Sequence, residues 1–486
     1  MSNTATGYTI NVAGNFVVNN STFKMNNGSG SCFVNVAGNF SISGGNFTIV
    51  TGAASSTLSV LGDVAISSGQ LMMHEDASAT VGTLQVTGNF SHTGGTIDED
   101  NNGQGSIVFN RAGTQIYTSG GSITNNIDVT INSGTTLQTA ATGTIIGGDD
   151  FTLSPGATLG IRSTAGITSA GATGNVQSAG IRSYSATANY IYNGSANQSV
   201  GNGLPGTVSN LTIANTGGGG NNTVTLENNV GITNTLAVNS GVLALGANNI
   251  TTVGAVNMTG TAITGTGTLT LAGNVTTNAS GTSSTISAPI GLGGATRTFN
   301  VADGGVDPDL NVTSIISGGG GLIKTGNGSF SLANAGNSYA GSTTANQGIL
   351  RIAAFGGAIP NGSALIINST LDLNGNSETV GSLAGSGTVT SNAGTTMTLT
   401  AGGDNTSTSF SGTIQNGSST NVSLSKTGSG ALSLSGSNSY SGSTSLLGGT
   451  LNLNSTTAIG TSTFTIFNGT TLGNTSAGAI TLATNN

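Results

Sequence analysis

The chain is poor in charged residues, proline and tryptophan, and each scarcity excludes a class of protein. Only 5% of the 486 residues are Asp, Glu, Lys or Arg, whereas ordinary globular chains are about a quarter charged. Exposed helix faces need straight-chain charged residues, so helical and most α/β folds are disfavoured. The 82 glycines follow no triplet period and only five prolines are present, which excludes collagen.

The same scarcities limit the partners and the redox chemistry of the chain. Eight Lys and Arg residues in a chain of net charge −8 cannot neutralise the phosphate backbone of a nucleic acid, so a nucleic-acid partner is excluded. A single cysteine, Cys32, cannot form an internal disulfide, and its place in an apolar strand pattern predicts a small core residue. No apolar run is long enough for a transmembrane segment. The first residues lack the pattern of a signal peptide, so a secreted protein would be represented here by an excised or processed segment.

Short alternating runs of apolar and small polar residues show what the chain does contain. Residues 41–43, 268–271 and 371–373 alternate with a period of two, which is typical of half-buried strands. Disordered chains are usually highly charged and poor in β-branched residues, and this chain is neither. We therefore predict an all-β fold.

An internal repeat of about 24 residues predicts the architecture. Val-Ala-Gly-Asn-Phe occurs at 12–16 and 36–40, Val-Leu-Gly-Asp-Val at 60–64 and Val-Thr-Gly-Asn-Phe at 86–90. A second apolar landmark follows each motif, as expected for three short strands and three turns per repeat. Stacking such coils at a strand spacing of about 4.8 Å satisfies the backbone and builds one continuous core. The sequence thus predicts a parallel β-solenoid, an elongated rod of roughly 20 coils.

The fourth position of this motif predicts a polar ladder. Asn15, Asn39, Asp63 and Asn89 recur at the same point of successive coils, where they would stack and bond from coil to coil. The preceding glycines fit corners where backbones approach closely. An Asp has no amide donor, so we expect an imperfect rung at Asp63.

The regularity of the repeat divides the chain into three parts of one continuous rod. Residues 1–110 predict regular coils of about 24 residues. Residues 111–317 predict longer, irregular coils with a glycine-rich loop at 217–220, and residues 318–486 show another repeat type, with a soft boundary near 305–318.

Two copies of a longer motif carry a family resemblance. The first reads Gly-Leu-Ile-Lys-Thr-Gly-Asn-Gly-Ser-Phe-Ser-Leu at 321–332, followed by Gly-Asn-Ser-Tyr-Ala-Gly-Ser-Thr at 336–343, and the second copy begins at Leu424. These segments resemble the autotransporter-associated β-strand repeat of bacterial passenger domains. The resemblance covers about the last 170 residues and implies a right-handed, surface-exposed parallel β-helix, but no chemistry. Residues 190–213 are similar to repeats in very large secreted surface proteins of Gram-negative bacteria.

One acidic cluster is a candidate cation site. Asp303, Asp307 and Asp309 place three alternating carboxylates among glycines, and Ca²⁺ prefers several oxygen ligands from a flexible loop. The cluster has no EF-hand or nonapeptide calcium pattern, so calcium stands beside the alternative of a solvated acidic loop. No other cofactor is expected.

The two histidines provide little basis for catalysis. His74-Glu75-Asp76 is interpreted as a solvated turn rather than a metal or acid/base cluster, because no second ligand group lies nearby in sequence. His92 occupies the position of Ile42 and Val18 in other coils, which predicts a strand residue facing outward or partly buried. We assign no catalytic residue.

Together these features predict a non-catalytic structural or adhesive segment at the outer surface of, or secreted by, a Gram-negative bacterium. The expected partners are a continuation of the same rod, end-to-end copies that form a filament, or glycans and neighbouring cell surfaces. A carbohydrate-active β-helix enzyme, a lyase or glycosidase, is an alternative because such enzymes mount two or three Asp on one face. An ice-binding solenoid is another, although the threonine runs are isolated.

Overall fold

The computed structural model describes residues 7–25, 29–75, 79–100, 103–394, 396–461 and 463–482. In these ranges the regular structure is β, and no helix has the length and apolar character needed to cross a membrane. Contact clustering gives two compact units, one of residues 1–233 with 241–244 and the other of residues 234–240 with 245–486.

The strands of the chain are short. Those that begin before residue 230 are β1 (Tyr8–Val12), β2 (Phe16–Val18), β3 (Ser21–Lys24), β4 (Cys32–Val36), β5 (Phe40–Val50), β6 (Ser56–Val60), β7 (Val64–His74), β8 (Val81–Val86), β9 (Phe90–His92), β10 (Thr96–Glu99), β11 (Gln104–Phe109), β12 (Gly113–Ser119), β13 (Ser122–Ile123), β14 (Ile127–Ile131), β15 (Thr135–Thr139), β16 (Phe151–Leu153), β17 (Thr158–Ile161), β18 (Arg182–Tyr184), β19 (Asn189–Tyr192), β20 (Gln198–Ser199), β21 (Thr207–Ala214) and β22 (Thr223–Thr225).

The later strands have similar lengths. They are β23 (Val230–Ser240), β24 (Val242–Ala244), β25 (Ile250–Met258), β26 (Ala262–Thr264), β27 (Leu269–Leu271), β28 (Val275–Thr277), β29 (Ser284–Ile286), β30 (Ile290–Gly291), β31 (Arg297–Val301), β32 (Leu310–Val312), β33 (Ile316–Ser317), β34 (Leu322–Thr325), β35 (Ser329–Leu332), β36 (Thr343–Ala345), β37 (Ile349–Ile352), β38 (Ala364–Ile367), β39 (Thr370–Asp372), β40 (Glu378–Val380), β41 (Ser382–Gly385), β42 (Thr388–Thr390), β43 (Thr396–Ala401), β44 (Thr408–Phe410), β45 (Thr413–Ile414), β46 (Asn421–Lys426), β47 (Ala431–Leu434), β48 (Thr444–Leu446), β49 (Thr450–Leu453), β50 (Phe464–Ile466) and β51 (Thr471–Gly473).

The first unit is a stack of parallel coils with three strand segments each. One sheet joins β1, β4, β6, β8, β11, β14, β16 and β18 in that order. A second face pairs β2, the first half of β5, the first half of β7, and β9. A third pairs β3 with the second halves of β5 and β7, then β10 and β13. The predicted all-β solenoid with three short strands per coil is therefore confirmed.

The second unit repeats this plan with other strands. One sheet joins β40, β43, β46, β48 and β50. Two further faces pair β29, β32, β35, β37 and β39 in succession, and β34, β36, β38 and β41. Every described pairing there is parallel, so each coil satisfies the backbone of the next.

The core of the first unit is a register of apolar side chains. Val12, Val36, Val60 and Val86 are direct partners from coil to coil, and the last three are fully buried. Alternate residues point inward because a strand has a side-chain period of two. Cys32 is buried in the same sheet, as predicted.

Coil length varies in both directions. The step from coil to coil is 24 residues at Asn11 and Asn35, 22 at Asp128 and Asp150, and 31 at Asp150 and Ile181. In the second unit it is 20 from Asp309 to Ser329 and 24 from Asn405 to Ser429. Coils beyond residue 110 are thus irregular without being uniformly longer, because residues are added or removed in the turns while the strands keep their register. The glycines of 217–220 lie in the turn between β21 and β22.

Candidate functional site

The polar ladder lies at the corner between the first and second strands of successive coils. The backbone N–H of Asn39 donates to Asn15 Oδ1 at 2.8 Å, that of Asp63 to Asn39 Oδ1 at 2.9 Å, and that of Asn89 to Asp63 Oδ1 at 2.7 Å. The N–H of Ile116 continues the series by donating to Asn89 Oδ1 at 2.9 Å. The side-chain oxygen of each coil thus satisfies a backbone donor of the next, at a corner where a strand partner is lacking.

Asp63 makes a complete rung, so the expectation of an imperfect one is wrong. The ladder uses each side chain as an acceptor, and a carboxylate oxygen accepts as well as an amide oxygen does. Amide donation is therefore not needed to hold the stack together.

The glycine before each ladder residue leaves room for the ladder. A methyl group at Gly38 would overlap Asn15 Oδ1, and one at Gly62 would overlap Asn39 Oδ1. At Gly14, in the first copy of the motif, a methyl group would meet no atom within 4 Å. The Gly-Asn pair is therefore a stacking requirement that begins with the second coil.

A solvent-open groove of about 350 Å³ runs beside the ladder. We call it the ladder groove. The ladder residues form one side of the groove. The other side is formed by outward residues that are in register on β2, β5, β7 and β9, namely Val17, Ser41, Ala65 and Ser91. It is lined by Asn15, Val17, Asn39, Phe40, Ser41, Asp63, Val64, Ala65, Asn89 and Ser91.

The three carboxylates predicted to bind calcium have other partners in the structure. Asp309 accepts hydrogen bonds from the backbone N–H groups of Gly304 at 2.7 Å and Ser329 at 2.8 Å. Asp303 accepts from the N–H of Gly305 within its own turn. Among the described residues, no three His, Cys, Asp or Glu side chains are grouped to hold a metal ion. The alternating pattern in sequence therefore does not become a ligand set in space.

The third of these carboxylates, Asp307, belongs to an ion-pair cluster with Arg351 and Asp372. Arg351 Nη1 and Nη2 donate to the two carboxylate oxygens of Asp307 at 2.6 and 2.7 Å, and Nε donates to Asp372 Oδ2 at 3.2 Å. The hydrogen bonds from Arg351 lower the pKa of Asp307. Asp372 is fully buried and also accepts from the N–H groups of Asn374 and Asn392. This arrangement favours the charged form of Asp307.

Both histidines are buried, which corrects the expectations of a solvated turn at His74 and an outward or partly buried His92. His74 ends β7, with Nε2 2.8 Å from Thr80 Oγ1 and Nδ1 3.3 Å from Asp100 Oδ1. His92 lies in register with Ile66 in the core, and neither ring nitrogen makes a hydrogen bond of normal geometry within the described residues. Burial lowers the pKa of His92, and a backbone contact at Gly95 opposes this only in part. Asp76, the third residue of the His74 cluster, lies outside the described residues.

Each copy of the longer motif encloses a buried lysine. Lys324 Nζ donates to the carbonyl oxygens of Thr325, Gly326 and Gln347 at 2.8, 2.7 and 3.2 Å. Lys426 Nζ makes the equivalent bonds to Thr427, Gly428 and Gly448. In both cases two acceptors come from the residues that follow the lysine and the third from the next coil. The Lys-Thr-Gly sequence thus builds an internal clamp between coils.

The motif's tyrosine and asparagine form further internal bonds. The hydroxyls of Tyr339 and Thr343 lie 2.7 Å apart and are buried, as are those of Tyr440 and Thr444. Asn337 accepts from the N–H of Ile316 and donates to the carbonyl of Ala358, and so ties three coils together. The second copy does the same with Asn438, Ile414 and Ala458. The residues that define the motif are therefore buried polar groups with structural partners.

Replacing Lys324 with Met tests the clamp. We expect the free energy of unfolding to fall by about 1–3 kcal/mol at neutral pH, because three carbonyl groups lose the donor that Lys324 supplies from the core. Burial lowers the pKa of Lys324 to about 8, so between that pH and about 10.4 the unfolded chain binds more protons than the folded chain. The wild type therefore gains stability as the pH rises through this range and K324M does not, so the difference between them grows.

Urea unfolding followed by circular dichroism at pH 7 and pH 9.5 measures this difference. The matched control is Lys24→Met, because Lys24 and Glu75 form an exposed ion pair with about 40% of each side chain accessible. Such pairs contribute little, so K24M should change stability by less than about 0.5 kcal/mol. Equal effects of the two substitutions at both pH values would contradict the clamp.

Arg182 and Glu378 are among the buried ionisable residues that the sequence pattern did not reveal. Arg182 donates to the carbonyl groups of Thr168, Gly171 and Ser178 and so fastens the long loop of the 31-residue coil. Glu378 accepts from the N–H groups of Ala358 and Ile359, while burial raises its pKa to about 7. Neither residue recurs in the repeat. The one signal in the sequence that could have identified them is that charged residues of any kind are rare in this chain.

Comparison with known proteins places the clamps in a named repeat. The family model of the passenger-associated-transport-repeat matches residues 322–352 and 424–453, which contain the two lysines and the two tyrosines. Comparisons with curated proteins and with solved structures give no match. A β-solenoid with these repeats has the features of an autotransporter passenger β-helix, and the repeat implies a secreted or surface-exposed protein of a Gram-negative bacterium. The chain is therefore a β-solenoid in which residues 322–352 and 424–453 match the passenger-associated-transport-repeat.

Proposed function

We propose that the chain is a non-catalytic structural and adhesive segment of a passenger protein that works outside the cell, at the outer surface or after release. The observation that carries the proposal is the use of polar groups in the two repeats. The amino groups of Lys324 and Lys426 and the hydroxyls of Tyr339 and Tyr440 bond one coil to another inside the solenoid. Such groups supply rigidity rather than chemistry.

The ionisable residues favour the same function. Catalytic carboxylates need a pKa matched to proton transfer and access to a substrate. Asp372 is buried and accepts hydrogen bonds from Arg351 and from neighbouring backbone N–H groups. Glu378 is buried against backbone N–H groups. Asp307 is exposed, but its ion pair with Arg351 keeps it charged. These positions suit stability better than turnover.

A carbohydrate-active enzyme is the second candidate, because Arg351 with Asp307 and Asp372 has the composition of a β-helix glycosidase site. In that case Asp307 would be the accessible acid or base. Its lowered pKa favours the charged form over the protonated form that a general acid needs. We therefore rank the structural and adhesive function first. End-to-end association of copies stays a prediction of the sequence.

Two measurements on the purified chain test the proposal. Release of reducing ends from a panel of polysaccharides should stay at the level of a buffer blank. Surfaces coated with the chain should retain Gram-negative cells or their isolated surface glycans better than surfaces coated with albumin. Turnover that disappears in the Asp307→Asn variant would overturn the proposal in favour of the enzyme, and equal retention on both coatings would remove its adhesive part.

A further inference from the structure

We propose that the ladder groove of the first unit binds an extended, neutral, hydroxyl-rich polysaccharide segment. The inference deepens the proposed function, on which it rests for the setting outside the cell. It assigns a ligand class to a place where the structure already shows an open volume and a row of polar groups.

The ladder leaves polar atoms available for hydrogen bonds to a ligand. Each ladder oxygen is used by the backbone of the next coil. Within the described residues, the amide Nδ2 atoms of Asn15, Asn39 and Asn89 have no protein acceptor. The groove is also lined by Ser41, Ser91 and Asp63, which carry hydroxyl and carboxylate groups. The groove therefore offers both hydrogen-bond donors and acceptors beside small apolar side chains. Sugar hydroxyls match such a surface because each can both donate and accept a hydrogen bond.

The charge of the groove lining favours a neutral ligand. Asp63 is the one ionisable residue among the groove's lining residues. It would repel phosphate and sulfate groups, and no lysine or arginine in the lining would attract them. A neutral polymer meets no such penalty, and a carboxylate strengthens a hydrogen bond from a hydroxyl.

The spacing of the coils along the groove suits a polysaccharide better than a peptide. Equivalent groups recur once per coil along the groove, at the strand spacing of about 4.8 Å. An extended peptide presents equivalent side-chain positions every two residues, or about 6.8 Å, and so falls out of step within two coils. In a linear chain of equatorially linked pyranose rings successive rings face opposite sides, so equivalent groups recur at every second ring, close to two coil spacings. Four successive coils line the groove, so about four sugar units would be contacted.

The glycines and the apolar core behind the groove keep its polar groups in place. Phe40 and Val64 are buried beneath its floor, and Gly38 and Gly62 fix the distance between rungs. A ligand would therefore meet a preorganised row and lose little of its binding free energy to ordering the protein.

Calorimetry and amide NMR with cellohexaose, maltohexaose and an extended threonine-rich hexapeptide test the inference. Asn39→Asp and Asn89→Asp each remove an Nδ2 donor and keep the ladder acceptor, as Asp63 shows that an Asp rung is tolerated. Asn110→Asp is the matched control, because its charge change is equal and Asn110 is exposed outside the groove lining. Ala65→Tyr fills the floor of the groove.

We expect cellohexaose to perturb amide signals of residues 15–17, 39–41, 63–65 and 89–91. N39D and N89D should each weaken binding about three- to tenfold, as expected for a lost hydrogen bond, while N110D leaves it unchanged. A65Y should abolish binding. Binding of the hexapeptide in the groove in place of the glycans, binding insensitive to A65Y, or no perturbation by either glycan would overturn the inference. Reducing ends released in the same samples would count against the non-catalytic function instead, so the two failures are distinguishable.

Discussion

Gly62→Ala should destabilise the first unit by about 2 kcal/mol or more, although it adds a single methyl group. That group would overlap the side-chain oxygen of Asn39 and the carbonyl of Gly38 in the preceding coil. Both atoms belong to the coil-to-coil bonding, so neither can move without loosening a rung or a strand pair. The expected result is a separation of the coils at this corner.

Gly14→Ala is the matched control, because Gly14 has the same place in the first copy of the motif and an added methyl group would meet nothing within 4 Å. Its effect should stay within about 0.5 kcal/mol. Solenoids unfold by coils rather than as one unit, so the readout is hydrogen exchange at residues 36–40 and 60–64 together with the urea midpoint. Similar exchange in the two variants would contradict the packing argument.

His92→Ile should stabilise the chain, with the largest gain in mild acid. The partner of His92 in the preceding coil is Ile66, and that of Ile66 is Ile42, so the substitution restores the apolar column. It removes a buried imidazole that makes no hydrogen bond of normal geometry and has only a backbone contact at Gly95, and an unsatisfied buried polar group costs about 1–3 kcal/mol. We therefore expect a gain of about 2 kcal/mol at pH 7.

The pH dependence follows from the lowered pKa of His92. The unfolded chain binds a proton near pH 6.5 and the folded chain only at lower pH, so wild-type stability falls as the pH drops below about 6.5. H92I lacks this loss, and the difference between the two proteins should widen from pH 7 to pH 5. Thermal unfolding over this range measures it. The matched control is His74→Gln, because His74 is equally buried but has partners, and its replacement should destabilise the chain. A constant difference between H92I and wild type would show that His92 does not titrate in this way.

The two kinds of buried polar group have different consequences for a passenger segment. Lys324 and Lys426 each meet three acceptors, so their burial supports the packing of neighbouring coils. His92 lacks such partners and is a local weakness of the first unit. The solenoid thus combines well-bonded repeats with at least one site that substitution can improve.

The sequence by itself determined the fold class, because the period of two within strands and the period near 24 between motifs leave few other ways to bury Val36, Val60 and Val86. It also identified the ladder positions and the repeats at Lys324 and Lys426. What only the tertiary structure decided is the direction of the contacts. Whether a ladder side chain donates or accepts, which carboxylate meets Arg351, and whether His74 and His92 face the core or solvent depend on atoms supplied by other coils, 21 to 44 residues away. Those distances are set by turn lengths that composition does not encode, so the expected defect at Asp63 could be corrected only after the coils had been stacked, while the calcium hypothesis at Asp303, Asp307 and Asp309 stays a prediction.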